Sequence, residues 1–132
     1  VESEEMPFVT FALVVAERKA LGKLDTIYGK GTFEDVDKCT ELRSKGYKLL
    51  YTGNTEVYHY ESPTFLSFEP TKWRQHQFIN LTICRKRWIY WMWKDIQDKP
   101  ELYGWSREHL EKVKLQVKKR GLFVANGDLI WV

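Results

Sequence analysis

Apolar and polar positions change period several times along this chain, and each change predicts an element. FVTFALVVA, residues 8–16, is a continuous apolar run rich in β-branched side chains, the pattern of a strand buried on both faces. ERKALGKLD, 17–25, follows as a short helix stopped at Gly22. TIYGKGT, 26–32, holds Gly29 and Gly31 and reads as a flexible loop. Phe33, Val36, Cys39 and Leu42 then recur three apart, so residues 33–45 predict a helix with one apolar stripe. Thr32 stands at its N-cap with Asp35 three residues on, a pair like a capping box. Arg43, Lys45 and Gly46 supply a basic last turn and a glycine stop. YKLLYTGNTEVYHY, 47–60, predicts two short strands about a TGN turn.

Pro63 and Pro70 bracket a loop, and a long helix is expected from about residue 71 to 96, ending before Pro100. Ser106 caps a second helix that runs through Arg120 to Gly121. LFVANGDLIWV, 122–132, predicts a closing hairpin about NGD. The order of elements is an α/β pattern, with few strands for a sheet that helices must cover on both faces.

Composition narrows this reading. At 132 residues the chain is one domain's worth, with 43% apolar and 30% charged residues. No apolar run reaches the roughly 20 residues of a membrane span, and no secretory signal pattern opens the chain. Cys39 and Cys84 cannot form a disulfide framework, so reduced thiols in the cytoplasm are the simpler expectation. The net charge of +3 conceals an asymmetry: residues 70–120 hold 13 Lys/Arg against 5 Asp/Glu, and the remainder 8 against 13. An acidic front beside a basic back suggests an acidic site next to a surface that attracts anions. The chain starts at Val1 with an acidic VESEEM lead-in, so a processed piece or a fragment of something longer is the expectation.

Candidate chemistry gathers in FEDVD, 33–37. Acids in a first turn favour the helix dipole and cap free N–H groups, which accounts for Glu34, Asp35 and Asp37 without any activity. A carboxylate at a helix mouth beside a glycine loop also suits a general base. His59 in VYHYES is either a hydrogen-bonded structural residue or a metal ligand awaiting carboxylate partners. Spacing leaves both pairs of alternatives open.

FEDVDKCTELRSKGYKLLYTGNTEVYHYES, taken with the upstream TFALVVAERKALGKLD, resembles the second half of the catalytic domain of family 2 glycosyltransferases. Those proteins show an acidic ED pair, a helix with an arginine, a GY strand start and a histidine near H-x-E-S. The resemblance covers residues 8–65 and extends faintly to Trp88. It implies a partial GT-A-like α/β fold with a helical C-terminal extension and terminal hairpin. Residues 1–65 would form the acceptor-side half, and 66–132 a basic, aromatic, helical extension of the same domain.

The implied activity is inverting transfer of a sugar from a nucleotide-sugar donor to a hydroxyl of a glycan or lipid-linked acceptor. Asp35 matches the catalytic base. Glu34 matches an acceptor contact, as does Trp88, while His59 falls where a histidine helps hold a divalent Mn or Mg ion and the diphosphate. Gly29 and Gly31 match the flexible loop. The family's D-x-D motif is missing, since the DVD of Asp35 and Asp37 lies inside the helix. The expectation is therefore an acceptor-side half without its nucleotide-binding partner, inactive alone and able to pair as a homodimer.

CRKRWIYWMWKDI, 84–96, places Trp88, Trp91 and Met92 on one helical stripe, as core residues would be. Its Arg/Lys with Trp/Tyr also suits anionic headgroups, which would make the protein peripheral at a cytoplasmic membrane surface. The second functional class is thus a non-catalytic module whose basic aromatic face docks a membrane or a protein. No nucleic-acid motif accompanies the composition. NLT, 80–82, matches the glycosylation sequon by pattern alone, inside an expected helix.

Overall fold

The computed structural model describes residues 3–60 and 69–120. Two compact units divide it, Val1–Lys86 and Arg87–Val132, with the boundary inside one long helix. The elements are strand β1 (Glu4–Glu5), helix α1 (Arg18–Leu21), a 3-10 turn (Thr26–Tyr28), α2 (Glu34–Ser44), β2 (Leu50–Tyr51), α3 (Pro70–Asp98), a second 3-10 turn (Pro100–Tyr103) and α4 (Arg107–Lys119).

In the first unit, β1 and β2 form an antiparallel pair with Glu4 opposite Tyr51 and Glu5 opposite Leu50. Among the described residues these are the only strands. The apolar run 8–16 does not form the expected strand: it bends through a turn at Phe11–Ala12. Phe8, Val9 and Phe11 instead pack against a small core of Cys39, Leu42 and Leu49. A continuous apolar run signals burial, and here burial is met by side-chain packing without a ladder partner. The expected 47–60 hairpin is likewise absent, since β2 pairs with β1 and residues 50–60 are all exposed. With these residues exposed, a second strand there would have no buried face, and an isolated hairpin is at best marginal in water.

α2 follows its apolar stripe, with Cys39 and Leu42 buried. Burial raises the Cys39 thiol above its ordinary pKa, an effect only partly offset by its contact with Val9 O. The thiol is thus held protonated and unreactive. Arg43 does not project as an exposed C-terminal cation: it is buried, and Nη1 donates to Glu5 Oε1 at 3.3 Å. Glu5 also meets Lys48 Nζ at 3.5 Å, so β1 is tied to both sides of the α2–β2 corner.

Glu41 sits between Lys38 and Lys45 on α2. The hydrogen bond from Lys38, then that from Lys45, lowers its carboxyl below the ordinary glutamate range. A carboxylate whose folded pKa is depressed adds stability above its unfolded pKa and loses it as pH falls through the folded one. The thermal midpoint should therefore hold from neutrality down to about pH 4–5 and then drop. Glu41→Gln should show a lower neutral midpoint and a shallower acid fall. Parallel melting curves for the two proteins across that window would contradict this.

The second unit is built around the end of α3. Tyr103 Oη donates to Asp95 Oδ2 at 2.6 Å. Arg107 Nη2 reaches the Asp98 carbonyl at 3.4 Å, while its Nε donates to Glu101 at 2.9 Å. An arginine therefore serves carbonyls that the helix end leaves without intrahelical donors. Ser106 caps α4 as expected, accepting from His109 N at 3.1 Å. Leu110 is the buried anchor of α4. Gly121 and the 122–132 hairpin, like the Pro63 loop, lie outside the described residues.

Candidate active site at the α2 mouth

The first turn of α2 is reached through an unusual backbone. Gly29 and Gly31 take φ of +61° and +109°, and the two residues after them, Thr32 and Phe33, take +73° and +68°. Positive φ is routine for glycine but costs other residues of order 1–3 kcal/mol each, and β-branched threonine pays most. Something must hold this conformation in place.

That something is the inward face of α3. Asn80, 1% exposed, directs its Nδ2 into the loop. The nitrogen lies 3.0 Å from Tyr28 O, 2.8 Å from Gly31 O, 3.1 Å from Thr32 O and 3.2 Å from Thr32 Oγ1. Its two hydrogens are shared among four oxygens of one turn of chain. One helical turn earlier, His76 Nε2 lies 3.0 Å from Gly31 O and 3.2 Å from Asn80 Nδ2. The close approach also explains Gly29, since a Cβ there would meet His76 Cε1 at 3.3 Å. The two glycines thus sit in a loop fastened at several points. Thr32 is not the N-cap: Phe33 holds that position without a side-chain cap, and the Thr32 hydroxyl faces Asn80.

The three acids of FEDVD have separate environments. Asp37 is buried and accepts from Tyr28 Oη at 2.8 Å, which fastens Tyr28 of the loop onto α2. Asp35, only partly buried, takes the Val36 N–H on Oδ1 at 2.8 Å. No hydrogen bond to its Oδ2 is found among the described residues. Glu34 turns back over the loop, where a side chain at Gly31 would meet its Oε1 at 3.5 Å. Its Oε2 is buried without a hydrogen-bond partner among the described residues. One acid is structural, and the adjacent pair retains acceptor capacity beside the hydrogen-bonded loop.

His59 is exposed on an extended segment, and the structure does not bring it into a ligand set. Among the described residues no three His, Cys, Asp or Glu side chains gather to hold a metal ion. These residues do not by themselves fit a bound divalent cation. Trp88, partly buried on α3, belongs to the second unit. A separate open hollow of about 840 Å³ in the first unit is lined chiefly by apolar side chains, including Phe8, Phe11, Leu49 and Val57.

Asn80, His76 and Tyr28 were not candidates on sequence grounds. The available signal was a polar pair four apart, His76 and Asn80, on the same α3 face as Trp73 and Cys84. Polar residues on an inward face need partners. No family model matches the chain, and no curated protein or solved structure matches it either.

Proposed function

We propose that this chain is the acceptor-side part of an inverting glycosyltransferase of GT-A-like architecture, with Asp35 as the general base and Glu34 as an acceptor contact. The observation that supports this reading most is the division of the acids: Asp37 is consumed by Tyr28, whereas Asp35 Oδ2 has no hydrogen-bond partner among the described residues at a helix mouth. Asp35 would take the proton of an acceptor hydroxyl as its oxygen attacks the anomeric carbon. The bond from that carbon to the diphosphate oxygen breaks, and the configuration inverts. Helix α2 and the fastened loop keep the base in place, so little reorganisation accompanies the reaction. Donor contacts belong, on this reading, to a separate nucleotide-binding half, His59 would contact metal or diphosphate only together with ligands from that half, and the 132-residue chain alone is expected to turn over no nucleotide sugar.

Amide spectra of the chain titrated with a panel of neutral oligosaccharides test the proposal. Shifts centred on residues 28–36, and weakened by Glu34→Gln, are the expected result. A panel that moves no resonance in that segment would remove the acceptor-site reading, as would shifts indifferent to Glu34→Gln.

A further inference from the structure

Opposite the Asn80 face, α3 presents a second surface. At 100° per residue, Thr71, Arg74, Gln75, Phe78, Ile79, Thr82, Arg85 and Lys86 fall on one outward arc, with Lys72 at its edge. All are exposed. Two large apolar side chains stand at the centre, Phe78 at 70% and Ile79 at 56% exposure. Lys72 and Arg74 lie one to two turns before them, Arg85 and Lys86 one to two turns after. No Asp or Glu occurs between Glu69 and Asp95, so within the arc only cations carry charge; Lys72, at its edge, also lies 3.7 Å from Glu69 in an exposed ion pair that a surface of phosphates can displace.

From this arrangement we infer that the outward face of α3, residues 71–86, lies on the surface of an anionic phospholipid bilayer. The helix rests in the plane of the headgroups. Phe78 and Ile79 enter the acyl boundary, and the four cations extend their stems along the surface to reach phosphates. Residues 71–86 span about 24 Å, enough for both cationic ends to engage while the apolar centre is buried. A nucleic acid would use the cations and leave Phe78 and Ile79 in water, whereas a bilayer takes up both. The helix lies on the membrane rather than through it, for among the described residues no helix is long and apolar enough to cross one. The inference does not depend on sugar transfer.

Flotation of the chain with vesicles is the test. Binding is expected to phosphatidylcholine vesicles containing one third phosphatidylserine, and not to pure phosphatidylcholine, with loss in high salt. Replacing Lys72, Arg74, Arg85 and Lys86 together by glutamine should weaken partition by about fivefold per cation. Phe78→Ser with Ile79→Ser should weaken it by at least about tenfold with the cations intact. These positions are exposed, so unchanged circular dichroism would show that the fold is kept. Failure to float with anionic vesicles overturns the inference. So does equal binding to both vesicle types, or binding unaffected by the Phe78/Ile79 pair, including retention on a polyanion such as heparin with no vesicle binding.

Discussion

Replacing Asn80 by leucine, which keeps the branched shape and the number of side-chain heavy atoms but is bulkier and donates nothing, is expected to lower the unfolding free energy by about 2–4 kcal/mol. Asn80 Nδ2 is within 3.2 Å of the Tyr28, Gly31 and Thr32 carbonyls and the Thr32 hydroxyl. Its removal leaves carbonyls of a partly buried turn facing a side chain that donates nothing. Each buried acceptor deprived of its donor costs about 1–3 kcal/mol. The loss compounds because Thr32 and Phe33 are held at positive φ, a conformation that relaxes once its restraint is gone. Asn80→Asp should be worse still, since it sets a carboxylate against three carbonyl oxygens. Urea titration measures the stability. Hydrogen exchange at Gly31 and Thr32 should quicken well beyond that of the α4 amides. A loss below about 0.5 kcal/mol, the usual range of a bland surface change, would mean that Asn80 does not hold the loop.

Asp35→Asn and Asp37→Asn, two residues apart on one helix, should have opposite consequences. Asp37 is 5% exposed and receives the Tyr28 hydroxyl at 2.8 Å. Weakening a buried bond to a charged acceptor should cost about 1.5–3 kcal/mol. Tyr28→Phe, which removes the bond outright, should cost a similar amount, and the double variant little more, because both changes act on the same bond. Among the described residues the one hydrogen bond of Asp35 is from its neighbour's N–H to one oxygen, so Asp35→Asn should change stability by under about 1 kcal/mol, the scale of a first-turn acid. In a complete enzyme that carries this segment, the same change should reduce transfer by about 10²–10⁴-fold, the contribution of a positioned base. Full turnover in Asp35→Asn would remove the base assignment. An Asp37→Asn protein as stable as the parent would undo the structural one.

The helices were legible because their signals are local. Ser106 caps α4 with its own hydroxyl, Gly46 follows α2 at φ +88°, and the Phe33–Leu42 spacing marks a face that is buried from Cys39 onward. The strands were less legible because apolar runs report burial, not pairing: β2 found its partner in the polar Glu4–Glu5, some 45 residues away. The acidic knot could be located from sequence but not apportioned. Which carboxylate is structural depends on Tyr28 Oη reaching Asp37, and tyrosine in TIYGKGT gives no hint of that. The loop's fastening was invisible for a similar reason. Asn80 and Gly31 are 49 residues apart, and only folding α3 against the loop makes an asparagine in a basic, aromatic helix into its anchor.

Asn80 also opens the tripeptide Asn80-Leu81-Thr82, and an oligosaccharide on that side chain would be joined through Nδ2 itself. The nitrogen that would carry the glycan is the one surrounded by Tyr28, Gly31 and Thr32 oxygens, on a residue 1% exposed. Attachment would remove one of its two hydrogens and place a bulky sugar where the turn passes. The folded state and N-glycosylation at Asn80 therefore exclude each other. A chain modified there before folding could not close the loop, and one that has folded withholds its sequon from the transferase.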